Sequence, residues 1–143
     1  MAAKYRRGLA RRAINALVSI LLPIGLGPRS TYLLTVTGRQ SGARRTTPVT
    51  LVEEAGRRWL VAPYGEVAWV RNLRAAGKAT LSRGGRTEPI RVREITNDEA
   101  APVLKLYVTR VPITRPYFDV KPESDLAAFR AEAPRHPVFA IVD

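Results

Sequence analysis

The side chains of this protein that could hold a ligand gather in two short stretches. The first is Thr37-Gly38-Arg39-Gln40-Ser41-Gly42-Ala43-Arg44-Arg45-Thr46-Thr47-Pro48. Its two glycines let the backbone turn and approach a ligand closely. Hydroxyls and free N–H groups supply neutral donors, and three guanidiniums supply charged forks that match phosphate or carboxylate. The spacing fits two readings equally: an anion-gripping loop between strands, or a solvated Arg-rich hairpin. The second stretch is Ala62-Pro63-Tyr64-Gly65-Glu66-Val67-Ala68-Trp69-Val70-Arg71-Asn72-Leu73-Arg74-Ala75-Ala76-Gly77. Here a strand ends in a Pro-Tyr-Gly loop and a helix starts at once, so the first N–H groups of that helix offer an anion or carbonyl site. Trp69 and Asn72, three apart, share one side of the helix, and a flat ring beside an amide suits a planar heterocycle. Taken alone, that spacing favours a plainer reading, with Trp69 in the core and Asn72 solvated or capping.

Other chemistries are poorly supplied. There is no cysteine, which excludes zinc fingers, iron–sulfur clusters and thiol nucleophiles. The single histidine, His136, lies between Arg135 and Pro137 and cannot build a His-based metal cluster. A lone histidine beside a terminal strand is more often structural than catalytic. No G-x-S-x-G elbow, P-loop or G-x-G-x-x-G fingerprint occurs. The twelve carboxylates are scattered, none beside an obvious partner in a turn. If the protein is an enzyme, its chemistry has to belong to a cofactor.

The elements that must position these stretches follow from periodicity. Tyr32, Leu34 and Val36 alternate with Leu33, Thr35 and Thr37, as in a strand with one buried face. Thr47 to Glu53 reads as a second strand and Arg57 to Ala62 as a third, joined by an Ala55-Gly56 turn. Glu66 to Ala76 reads as a helix with Gly77 as its C′ residue. Ala79 to Arg83 and Arg86 to Ile95 are strands joined by Gly84-Gly85, and Pro89 suggests a sheet edge or bulge. Thr96-Asn97-Asp98-Glu99 resembles a capping box for a helix to about Thr109, with Pro102 uncomfortably deep inside it. Val111 to Lys121 reads as irregular, Ser124 to Ala133 as a short helix ended by Pro134, and Val138 to Val142 as a last strand. About six hairpin-linked strands with helices outside favour a small antiparallel barrel over a doubly wound fold.

The formal charge is +12 and the pI near 11.2, which calls for an anionic partner. Arginine far outnumbers lysine, which occurs only at 4, 78, 105 and 121; usage typical of GC-rich genomes accounts for part of this. Residues 4–12 carry five bases and precede an uncharged run from Ala13 to Pro28. That run is shorter than the roughly 20 apolar residues of a transmembrane helix and is broken by Pro23, Gly25 and Gly27. The expectation is an N-terminal helix over about residues 3–22, either packed on the barrel or lying on an anionic membrane surface through residues 1–26. The domains are then 1–28, helix and linker, and 29–143, barrel. Aromatics clustered in loops weigh against a nucleic-acid-binding module, which would spread them over an exposed sheet.

The motifs T-G-R-x-S-G-x-x-R at 37–45 and A-P-Y-G-x-x-x-W-V-R-N-L-R-A-A-G at 62–77, with R-P-Y-F-D at 115–119 and H-P-V-F at 136–139, resemble the deazaflavin-dependent nitroreductase family of actinobacterial split-barrel proteins. The resemblance covers nearly everything after Ser30. It implies a mainly β, six-stranded antiparallel split barrel, similar to FMN-binding barrels, and an oxidoreductase that uses coenzyme F-420. A hydride would pass to a small organic acceptor such as a quinone, an unsaturated lipid or a nitroaromatic. It further implies that Arg39, Gln40, Ser41, Gly42 and Arg45, helped by Arg44, hold the cofactor's phosphate and oligoglutamate tail. Thr47 and Pro48 would lie near the ring. Ala62, Pro63, Tyr64 and Gly65 would edge the ring pocket, and Trp69 and Asn72 would line it. Tyr107, Tyr117 and Phe118 are weaker candidates for the acceptor side. Gln40 replaces a frequent Lys, and Pro63-Tyr64 stands where nitroimidazole-reducing members carry Ser-Lys. The alternatives are an FMN-binding barrel or a cofactor-binding protein without turnover. A cytoplasmic location, at the inner membrane face if residues 1–26 touch it, and a homodimer complete the expectations.

Overall fold

A computed structural model describes residues 30–142. The chain order is β1 (Thr31–Thr37), β2 (Arg44–Glu54), β3 (Arg57–Val61), α1 (Ala68–Ala76), β4 (Lys78–Arg83), β5 (Arg86–Glu94), α2 (Asn97–Arg110), α3 (Leu126–Glu132) and β6 (Val138–Val142). All neighbouring strands run antiparallel and close a barrel in the order β1-β2-β3-β6-β5-β4. The expected N-terminal helix and the 1–28 boundary lie outside the described residues.

Alternation decides which side chains enter the barrel. Leu34, Val36, Val49, Leu51, Leu60, Leu81, Ile90 and Phe139 form one buried cluster. Helix α1 adds Val70 and Leu73 to that cluster and so stoppers one end of the barrel. Each such side chain contributes roughly 1.5–3 kcal/mol by leaving water. At the other end Arg58 and Glu88, two residues before Leu60 and Ile90, form a two-pronged ion pair at 3.0 and 2.6 Å. A second core lies outside the barrel, where Val52, Val61 and Val138 meet Leu104, Tyr107 and Val108 of α2 and Phe129 of α3.

Local chemistry sets the turns. Ala55 and Gly56 both have positive φ, 52° and 79°, the signature of a type I′ hairpin turn. The Gly84-Gly85 turn, with φ of 58° and 78°, is of the same kind. The capping box is formed: Thr96 Oγ1 accepts from Glu99 N at 3.2 Å, and Thr96 N donates to Glu99 Oε1 at 3.2 Å. Gly77, at φ 70°, donates its N–H to Leu73 O at 2.7 Å and ends α1.

Several boundaries differ from the sequence reading. Strand β2 begins at Arg44, three residues before the expected Thr47, because Arg44 to Thr50 pair in register with Thr37 to Thr31. Helix α1 begins at Ala68, not Glu66, because Val67 N is taken by Gly65 O at 2.9 Å in a tight turn. The 111–121 stretch contains a 3-10 helix, Pro112–Tyr117. Pro134 does not simply stop α3; it sits within a further 3-10 turn, Ala133–Arg135. Helix α2 runs through Pro102, which stays exposed. Pro89 lies inside a closed barrel, yet β6 pairs with β5 only from Arg91 onward, so at Pro89 the strand has one neighbour. Pro48 is accommodated likewise, since β3 pairs with β2 only from Leu51 to Glu54. Both prolines thus stand at local edges.

Candidate functional site

The 38–43 turn is bound chiefly to itself. Gly38 N donates to Ala43 O at 2.7 Å, Gly42 N to Gly38 O at 2.9 Å, and Ala43 N to Ser41 Oγ at 3.2 Å. A Cβ on Gly38 would stand 3.1 Å from Ala43 O and 3.3 Å from Ser41 Oγ, so glycine is needed there for close approach. Gly42, at φ 73°, faces open space. The expected supply of free backbone N–H groups is therefore largely spent on holding the turn. What remains for an anion is side chains.

Those side chains divide into two kinds. Arg39 is anchored: its backbone N donates to Asn72 Oδ1 at 3.1 Å and its Nη1 to the same oxygen at 2.7 Å. Asn72 is buried, so the helix amide joins the two motifs rather than standing open to a ligand. Arg44 and Arg45 are exposed on the first residues of β2, and their side chains make no ion pair or hydrogen bond among the described residues. Arg58, Arg74, Arg93, Arg110, Arg130 and Arg135 each pair with a carboxylate, whereas Arg57, Arg71, Arg86 and Arg91 share the exposed, unpaired state of Arg44 and Arg45 on other elements. Successive strand residues face opposite sides, so Arg45, opposite Val36, and Arg44, opposite Thr37, flank the rim of β2 on its two faces. With the anchored Arg39 they leave three guanidiniums around this turn that could meet a polyanionic ligand. Gln40 and Ser41 are exposed nearby, and Thr47 and Pro48 are half-buried further along β2.

The Pro-Tyr-Gly corner is clamped from beneath. Ala62, fully buried, donates its N–H to Pro137 O at 2.9 Å. Pro63 O faces His136 Nδ1 at 2.9 Å. Gly65 takes φ 88°, and a Cβ there would meet Arg135 O at 3.5 Å. Tyr64 receives the Tyr117 ring edge-on, centroids 4.8 Å apart. The N–H groups of Ala68 and Trp69, at the start of α1, have no acceptor within the helix, and no side chain caps that end.

The expected site residues are thus partly assembled. Arg39 and Asn72 touch, and Tyr64 and Tyr117 touch. Trp69 is half-buried against Phe139, centroids 6.4 Å apart, on the barrel-core side of α1. Tyr107 is 2% exposed and packs near Phe118 in the second core. Phe118 is buried and stacks on the His136 ring at 3.8 Å. Of the three acceptor-side candidates only Tyr117 reaches the corner.

One cluster escaped the sequence reading. Glu132 is 2% exposed and touches His136 Nε2 through Oε2 at 2.7 Å. The same oxygen accepts from Asp119 N at 3.3 Å, while Oε1 accepts from Arg135. Arg135 also bonds Asp119 Oδ2 at 2.8 Å. The expectation that the carboxylates are scattered, none beside an obvious partner in a turn, misses this pair; its signal is the Glu-x-x-x-His spacing, which brings the two together across one turn. Burial pushes the His136 pKa below its ordinary value, against the pull of the Glu132 carboxylate. Among the described residues no group of three or more His, Cys, Asp or Glu could hold a metal. No described helix is long and apolar enough to cross a membrane.

The family described as F420H(2)-dependent quinone reductase matches residues 10–121. A solved coenzyme F-420-H2 dependent reductase (FDR-A) is 29% identical, with a TM-score of 0.57, over 80% of this chain and 95% of its own. A solved domain-swapped dimer is 26% identical, with a TM-score of 0.57, over 93% of this chain and 96% of its own. A pyridoxamine 5′-phosphate oxidase-like protein of Listeria innocua, 12% identical with a TM-score of 0.53, covers 94% of this chain and 93% of its own and shares the fold alone. No curated protein matches the chain.

Proposed function

This chain belongs to the F420H(2)-dependent quinone reductase family, and from that premise we propose that it reduces a quinone at a site built from the 38–45 turn, the Pro63-Tyr64-Gly65 corner and Tyr117. It is an oxidoreductase, and its cofactor is coenzyme F-420. When bound, the reduced deazaflavin supplies a hydride rather than single electrons. The chain itself then has to bind, orient and shield. Arg44, Arg45 and the Ser41 hydroxyl would hold the phosphate and tail carboxylates, with Gln40 and Gly42 shaping the turn around them. A unit-charge pair about 5 Å apart at the exposed surface is worth roughly 1 kcal/mol. Arg39, steadied by Asn72, would present its remaining N–H groups in a fixed direction.

Ala62, Pro63, Tyr64 and Gly65 would edge the flat ring, with Thr47 and Pro48 beneath it and the open N–H groups of Ala68 and Trp69 toward its carbonyls. Tyr117, already against Tyr64, would line the acceptor and stabilise charge that develops on its oxygen. Hydride transfer needs the acceptor about 3–3.5 Å from the donor carbon, so rigid placement matters more than any reactive side chain. The reading includes a homodimer, supported by the domain-swapped relative.

The observation that carries this reading is the pinned Arg39, with the exposed Arg45 and Arg44 following it on the two faces of β2. The test is a fluorescence titration with oxidised and reduced F-420, FMN as control, followed by anaerobic oxidation of reduced F-420 with quinones of graded tail length. Tight, salt-sensitive F-420 binding and quinone-dependent turnover are expected. Folded protein that ignores F-420 at low ionic strength would overturn the assignment of the site.

A further inference from the structure

The buried Glu132–His136 pair has no place in the hydride chemistry, yet it touches the corner on which that chemistry depends. A carbonyl oxygen only accepts, so the 2.9 Å contact fixes a hydrogen on His136 Nδ1, donated to Pro63 O. Nε2 then meets Glu132 Oε2 at 2.7 Å across a shared proton. Glu132 is itself held by Arg135 and by Asp119 N, and Arg135 by Asp119. The ring stacks on Phe118, centroids 3.8 Å apart and planes 17° apart. Phe118 follows Tyr117, and Tyr117 leans on Tyr64. One network, buried at Glu132, His136 and Phe118 and reaching the surface at Arg135 and Asp119, therefore fastens both the Pro-Tyr-Gly corner and the segment that presents Tyr117.

We infer that Glu132 and His136 are positioning residues of the reductase, holding the Pro63 carbonyl and Tyr117 in register so that the corner is preformed for the cofactor ring. The inference rests on reading that corner as the ring edge. A buried network with every member partnered is rigid, and an unpaired member is costly, so the corner has one low-energy position. Both side chains are closed off from solvent, which separates this role from catalysis.

His136 is the sole histidine, so 15N-histidine labelling gives one ring to follow without mutagenesis. The cofactor-free protein should show a slowly exchanging Nδ1–H, and saturation with oxidised F-420 should shift that resonance. Three variants then separate bonding from packing. Glu132→Gln still accepts from Arg135 and can donate to Nε2, losing only the long 3.3 Å bond from Asp119 N, so it should keep F-420 affinity within about twofold. Glu132→Ala and His136→Phe should raise the F-420 Kd and lower kcat by about tenfold or more, since small misplacements are costly in such reactions. Amide exchange at 62–66 should quicken in both variants without cofactor. His136→Phe keeps a ring on Phe118, so packing alone would leave it wild-type. A ring resonance that stays put while F-420 binds, or folded Glu132→Ala and His136→Phe proteins with unchanged Kd, kcat and exchange, would overturn the inference. Failure of wild-type protein to bind F-420 would instead strike the reading of the site.

Discussion

Replacing Asn72 separates what the two motifs do for stability from what they do for binding. Asn72→Ala deletes one acceptor oxygen and with it two bonds from Arg39, at 3.1 and 2.7 Å. A neutral backbone bond of this kind is worth about 0.5–1.5 kcal/mol net. The guanidinium bond involves an exposed arginine, so it is discounted to under about 1 kcal/mol. The loss should be about 1–2 kcal/mol, a drop of several degrees in Tm for a domain of this size. With Arg39 untethered, F-420 affinity should fall roughly tenfold, equivalent to about 1.4 kcal/mol. Asn72→Asp is the sharper variant. Its carboxylate still accepts both bonds, so stability should be kept. It also places a negative charge beside an anion site, and affinity should fall by a similar factor while binding becomes less salt-sensitive. Thermal melts and fluorescence titrations at two ionic strengths read both quantities. Asn72→Asp protein that binds F-420 as tightly as wild type would refute the claim that Arg39 and its neighbours grip the cofactor's charge.

Arg44→Ala and Arg45→Ala remove guanidiniums with no partner among the described residues, so each should change stability by under about 0.5 kcal/mol. Each should still weaken F-420 binding several-fold and flatten its dependence on salt, as titration at 50 and 300 mM salt would reveal. Ala55 is the only described non-glycine residue with positive φ, and Ala55→Gly should raise stability by up to about 1 kcal/mol in urea unfolding. The Glu88 carboxyl is held below its ordinary value of 4.5, first by the hydrogen bonds from Arg58. A depressed carboxylate pKa contributes stability above the unfolded value and loses it as pH falls through the folded value. Both side chains are partly exposed, so the contribution is under about 1 kcal/mol. Wild type should therefore exceed Glu88→Gln in stability at pH 6, and the gap should close below about pH 4.5; a gap constant to pH 3 would refute the pairing.

Much of the fold is legible in local chemistry. Alternation at Tyr32 to Thr37, the Ala55-Gly56 and Gly84-Gly85 turns, the Thr96–Glu99 box and Gly77 each depend on residues within a few positions of one another. What is not legible depends on partners far along the chain. Arg44, Arg45 and Thr46 carry no apolar alternation because they line the barrel rim, and only backbone pairing with β1 makes them strand. The N–H groups expected to face an anion are used because the turn closes on itself, a matter of φ and ψ rather than residue type. From its spacing alone Asn72 reads as solvated or capping, whereas it is buried with Arg39, 33 residues away, on its oxygen. His136 reads as structural, and its bond to Pro63, 73 residues earlier, is a partner that no local pattern announces.

The buried polar side chains of the described residues are few: Thr31, Asn72, Thr114, Glu132 and His136. Burying such groups is unfavourable unless each finds a partner, so each marks a place where something other than bulk packing is being specified. Asn72 joins the 38–45 turn to α1, and Glu132 with His136 joins the Pro-Tyr-Gly corner to the chain around Tyr117. In the proposed site these are the joints between segments that would meet at the cofactor. An enzyme whose chemistry resides in the cofactor gains little from reactive side chains and much from fixing where the ring and the acceptor lie. Apolar contacts between exposed loops can slide, whereas a directional bond to a buried carbonyl has one good geometry. Here, then, the polar groups are spent on register, which is why the chain can be a reductase with one histidine and no cysteine.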